Sequence, residues 1–73
     1  MSKFITQTEV KNISKAIKIS EQNGCNVYGY YRLTAHEYVI SGDLNGLGDF
    51  WFVDSCTNTF RAATSEEYRN ATA

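Results

Sequence analysis

Between Gly24 and Cys25 the hydrophobic period of this chain changes, and that change limits its possible folds more than any motif does. Upstream, Val10, Ile13 and Ile17 recur at spacings of three and four with small Ala16 beside them, the period of one helix face. Downstream, apolar and aromatic residues alternate singly, the period of a pleated strand. With 73 residues the chain makes one domain, 1–73, and such a domain buries only about 60% of its unfolded surface. A helix and a sheet of this size must therefore share one core.

The helix has a specified start. Thr6-Gln7-Thr8-Glu9 fits a capping box, in which the Thr6 hydroxyl and the Glu9 carboxylate each satisfy the other residue's backbone amide, and Ile5 and Val10 stand where a hydrophobic staple belongs. Asn23-Gly24 supplies the stop, so the spacing predicts a helix over 7–23. Ile19 falls off the apolar stripe, on the side that carries the lysines.

Three β-rich runs follow. "CNVYGYYRL" sets Cys25, Val27, Gly29, Tyr31 and Leu33 on one side and Asn26, Tyr28, Tyr30 and Arg32 on the other, if alternation holds throughout. "HEYVIS" and "DFWFVDS" are the second and third runs, and "TFRAA" is a short fourth strand. Thr34-Ala35 and Cys56-Thr57-Asn58 make short connections, and short connections pair strands antiparallel. Thr64-Ser65-Glu66-Glu67 is a second capping box and opens a short terminal helix. The expected fold is α+β and two-layer: an N-terminal amphipathic helix packed on a three- to four-stranded antiparallel sheet, with a short C-terminal helix.

Composition narrows the function classes. An ordinary charged fraction and a formal net charge of −1 lack the strongly basic signature of many nucleic-acid binders and also exclude an acidic disordered tail, and 42% apolar residues are enough for a folded core. No run reaches the length of a membrane span. The opening "MSKFITQTEV" has neither an apolar h-region nor a small-residue cleavage site, so the expectation is a cytoplasmic chain with free thiols at Cys25 and Cys56. The glycosylation sequons at Asn12 and Asn70 are then chance matches.

The stretch "SGDLNGLGDFWFVD" tests for a ligand loop. Taking Asp43 and Asn45 as calcium-loop positions 1 and 3 puts Leu47 at position 5 and Asp54 at position 12, where oxygen ligands and a bidentate Glu are needed. Gly42, Gly46 and Gly48 match no phosphate-binding motif, and no lysine or helix start follows them. The remaining reading is a hairpin loop, longer than the minimal one, between the second and third strands.

Nor is there a catalytic or metal signature. Cys25, His36 and Cys56 lack the close-spaced pairs of a structural zinc site. His36 with Cys56 is the one thiol–imidazole pair available, and no local motif supports it. The expectation is no enzyme activity and no cofactor.

The surfaces carry more information. Lys11, Lys15 and Lys18 form a basic ridge along the helix. If Val27, Tyr31, Leu33, Ile40, Trp51 and Val53 pack under the helix, the other sheet face presents Tyr28, Tyr30, Val39, Phe50 and Phe52, flanked by Arg32 and Glu37. That face either binds a partner or is covered by Tyr68 of the terminal helix and Phe60 of the fourth strand. Partner binding through Tyr28, Tyr30, Arg32, Phe50, Phe52, Lys11, Lys15 and Lys18 is the expected function, in a non-catalytic accessory regulator or inhibitor of the kind a phage or mobile element carries. A homo-oligomer built on the aromatic face is the first alternative. A single-stranded nucleic-acid binder is the second, and the shortage of positive charge on that face ranks it lower.

Overall fold

The computed structural model describes residues 7–73, excluding the side chains of residues 7–9 and 47. Its elements run α1 (Gln7–Gln22), β1 (Cys25–Arg32), β2 (Glu37–Leu44), β3 (Leu47–Asp54), β4 (Thr59–Ala62) and α2 (Ser65–Thr72). The strands form one antiparallel sheet in the order β1-β2-β3-β4. This is the α+β arrangement expected, with four strands. The Thr6–Glu9 capping box and Ile5 lie outside the described residues.

α1 ends where Asn23-Gly24 predicts. The Asn23 amide donates to the Ile19 and Ser20 carbonyls, and the Gly24 amide to the Glu21 carbonyl. The helix is laid on the sheet by Ala16 and Ile19, which join Cys25, Tyr38, Ile40, Trp51 and Val53 in the main core, with Ile13, Val27, Leu44 and Phe60 at its margin. Ile19 is 7% exposed, so it belongs to the core and not to the lysine side. Val10 is 48% exposed and lies on the outer side with Ile17 and the lysines. The reason is geometric. The apolar residues of α1 occupy two arcs that meet at Ile13, and the arc centred on Ala16, whose methyl group lets the helix approach the strands closely, takes the sheet.

The hairpin between β2 and β3 is minimal. Leu44 pairs with Leu47, leaving only Asn45 and Gly46 in the turn, at φ 53° and 84°. Two consecutive positive φ values at Asn-Gly are those of a type I′ turn, whose twist matches that of the strands. The long loop expected from the glycines is therefore absent, and Gly42, Asp43, Gly48 and Asp49 belong to the ladder.

β1 departs from strict alternation. Val27 pairs with Gly42 but Gly29 pairs with Ser41, so Tyr28 is the extra residue of a β-bulge. Beyond the bulge the sides exchange. Tyr30 pairs with Ile40 and meets the Tyr38 ring edge-on at 6.4 Å, on the α1 face. Tyr31 pairs with Val39 and meets Tyr68 of α2, on the opposite face.

That opposite face is covered by α2. Val39 is 0% and Phe52 6% exposed, and Tyr68 lies against Phe50 at 4.2 Å between ring centroids and against Tyr31 at 6.4 Å. Phe60 does not share in this covering. It stacks on Trp51 at 5.4 Å, on the α1 side.

Candidate protein-interaction surfaces

The covering of the second face is held by a clamp. Thr64 caps α2: its hydroxyl accepts from the Glu67 amide at 3.1 Å, and the Glu67 carboxylate accepts from the Thr64 amide at 2.9 Å, which is the predicted capping box. The same carboxylate accepts from both terminal nitrogens of the Arg61 guanidinium, Nη1 and Nη2, at 2.9 and 2.7 Å. Arg61 in turn lies 4.1 Å over the Phe52 ring. The Arg61 hydrogen bonds, reinforced by the capping contacts, lower the Glu67 pKa from 4.5 to about 2. Phe50 is thus committed to Tyr68 of α2 and Phe52 to Arg61 of β4, and they do not form an open aromatic face with Tyr28 and Tyr30.

What stays exposed is the rim of β1. Tyr28 is 73%, Tyr30 42% and Tyr31 40% exposed, and Arg32 follows them at the end of the strand. β1 is an edge strand, so these phenol rings fringe a side of the sheet that pairs with no other described strand. Alternation puts Tyr30 and Tyr31 on opposite faces, the bulge sets Tyr30 on the α1 side and Tyr31 on the α2 side, and the tyrosines therefore wrap around the edge. The Arg32 Nε donates to the Thr34 carbonyl at 3.2 Å, which fixes the base of its side chain at the corner. Unbroken alternation puts Tyr31 in the core, and only Gly29, a glycine inside a strand, signals the bulge in the sequence.

The lysine ridge is a second surface. Lys11, Lys15 and Lys18 are all exposed. With Val10, Ser14, Ile17 and Glu21 they line an open groove of about 620 Å³ on the outer side of the helix. Helical spacing makes the lysine ridge legible, whereas Val10 and Ile17, expected in the core, line this outer groove.

A polar corner closes the sheet end at the β1–β2 and β3–β4 connections. Asp54 Oδ1 lies 3.0 Å from His36 Nδ1 and accepts from the Cys56 and Thr57 amides at 2.8 and 3.3 Å. Burial opposes ionisation of Asp54, but the two amides and the imidazole outweigh it and hold its carboxyl below the ordinary value. The Ser55 hydroxyl donates to the His36 backbone carbonyl at 3.0 Å, so it is turned away from nucleophile geometry toward the imidazole. The group braces two turns. The His36–Asp54 contact spans 18 positions, a separation at which sequence spacing carries no signal. Cys25 is buried, and burial together with the Asp43 carboxylate raises its thiol pKa, while Cys56 is exposed. Among the described residues no three His, Cys, Asp or Glu side chains are grouped to hold a metal, and no helix is long and apolar enough to cross a membrane.

No family model, curated protein or solved structure matches this chain.

Proposed function

We propose that this chain is a non-catalytic interaction module, an accessory regulator that acts by binding a partner protein or complex through the tyrosine-lined rim of β1. The observation that carries this reading is the exposure of Tyr28, Tyr30 and Tyr31 around one sheet edge, next to Arg32. A chain of this size has few aromatic residues to leave in water, and its other sheet aromatics are buried or half-buried. Tyrosine and arginine are the residue types that most often anchor protein contacts, because a phenol buries a large area with little loss of rotamer freedom and keeps a hydrogen-bonding tip.

A second copy of the chain is the rival occupant, since β1 carries neither the lysine nor the proline that commonly protects an edge. The bulge at Tyr28 weighs against it, because it interrupts the straight ladder that edge-to-edge pairing needs.

The test is site-specific photocrosslinking in the cells that make the protein. Benzoylphenylalanine in place of Tyr28 is expected to give an adduct of discrete mass, and the same group in place of exposed Asn70 on α2 is expected to give none. Equal patterns from the two positions, or no adduct at either, would overturn the reading.

A further inference from the structure

The outer arc of α1 has the geometry of a helix-pairing seam. Val10, Ser14, Ile17 and Glu21 are spaced four, three and four apart, the repeat by which one helix offers knobs and holes to another. Ser14 leaves the middle of the groove open to a side chain from outside. Lys11 and Lys18 stand one heptad apart at the same flanking position, so both charges lie along one wall of the groove. The other flank, Ile13 and Ser20, is turned toward the sheet.

We infer that this seam docks an acidic amphipathic helix of a partner protein. The inference rests on the interaction-module reading only in taking the partner to be a protein, and its surface is separate from the β1 rim. Charge selects the occupant. A partner helix with apolar residues in the groove and Glu or Asp along the lysine wall gains attraction at both Lys11 and Lys18. A second copy does not fit. Antiparallel pairing of two α1 seams sets each flanking position against its own kind, lysine facing lysine. Parallel pairing sets the lysines against the Ile13–Ser20 flank, which is committed to the core. A membrane surface is also a poor match. Interfacial helices insert a broad face rich in Trp, Phe and Leu, whereas this arc offers Val10 and Ile17 with Glu21 in the same line.

The test uses two labelled synthetic peptides and fluorescence anisotropy. Both carry leucine at the seam positions. One has glutamate at every flanking position, which also keeps it from pairing with itself, and the other has lysine there. The full chain is expected to bind the acidic peptide at least about tenfold more tightly than the basic one. The double variant Lys11→Glu/Lys18→Glu, checked for unchanged circular dichroism, is expected to reverse that preference, and Val10→Asp to weaken both complexes. Failure to bind the acidic peptide, or an acidic preference that survives the charge reversal, overturns the inference. Binding to phosphatidylserine vesicles without peptide binding overturns it in favour of a membrane. Tyr28→Glu is expected to leave peptide affinity unchanged, which keeps the two surfaces distinct. Loss of peptide binding with persistent Tyr28 crosslinks removes the seam and keeps the interaction module. Peptide binding without Tyr28 crosslinks removes the β1 site alone.

Discussion

A β-carbon at position 42 has no room. It would stand 2.6 Å from both the Asn26 carbonyl oxygen and the Cys25 sulfur, one in backbone and the other in a buried side chain. Gly42 pairs with Val27 at the start of the β1 bulge, so the close approach and the irregular ladder occur together. Gly42→Ala is expected to destabilise the fold by about 2 kcal/mol, seen as a lower urea midpoint at unchanged slope. An unchanged midpoint would mean that β1 shifts without loss, and that the bulge is not fixed by this contact. The same position shows the limit of local reading. Alternation placed Val27, Ile40, Trp51 and Val53 on the α1 side correctly, because their strands are regular there. It exchanged Tyr30 and Tyr31, because the extra residue at Tyr28 answers to a contact on the neighbouring strand and leaves only Gly29 as a local sign.

Elements were most legible where their signals are short-range. The Thr64–Glu67 box and the Asn23-Gly24 stop act within one turn, and both form as the sequence predicts. The face of α1 was not legible, because two apolar arcs share Ile13 and only docking on the sheet decides between them. The covering of the second sheet face was equally open, since it depends on Arg61 bridging Phe52 and Glu67. That clamp has a pH signature. The Glu67 pKa is lowered on folding, from 4.5 to about 2, so its contribution is fully present above the ordinary value and is lost as pH falls toward the folded one. Asp54, also lowered, acts with the same sign. Because the Arg61 side chain is 46% exposed, screening reduces the Glu67 contribution to about 1–2 kcal/mol. Glu67→Gln is expected to lower the urea midpoint at pH 7 and to converge with the parent chain as the pH approaches 2. A constant gap across that range would show that the carboxylate charge is not what holds α2 in place.

For the whole molecule, the two helices leave the aromatic side chains with different fates. α1 covers one face, α2 with Arg61 of β4 covers the other, and the rim of β1 keeps its tyrosines exposed. This redistribution moves the proposed contact surface from the middle of the sheet to its edge. Of the side chains that the sequence offers for a contact, Tyr28, Tyr30 and Arg32 share that rim, Lys11, Lys15 and Lys18 share the α1 groove, Phe50 lies against Tyr68 of α2, and Phe52 lies under Arg61. The proposed β1 site requires an edge that copies of the chain leave open to a different macromolecule. Molar mass by light scattering, over a hundredfold range of concentration, reads this directly. The expected result is the monomer mass of 8.2 kDa throughout, for the parent chain and for Tyr28→Glu alike. A dimer that persists on dilution and that Tyr28→Glu dissolves would contradict it, because the β1 rim would then be the contact between two copies.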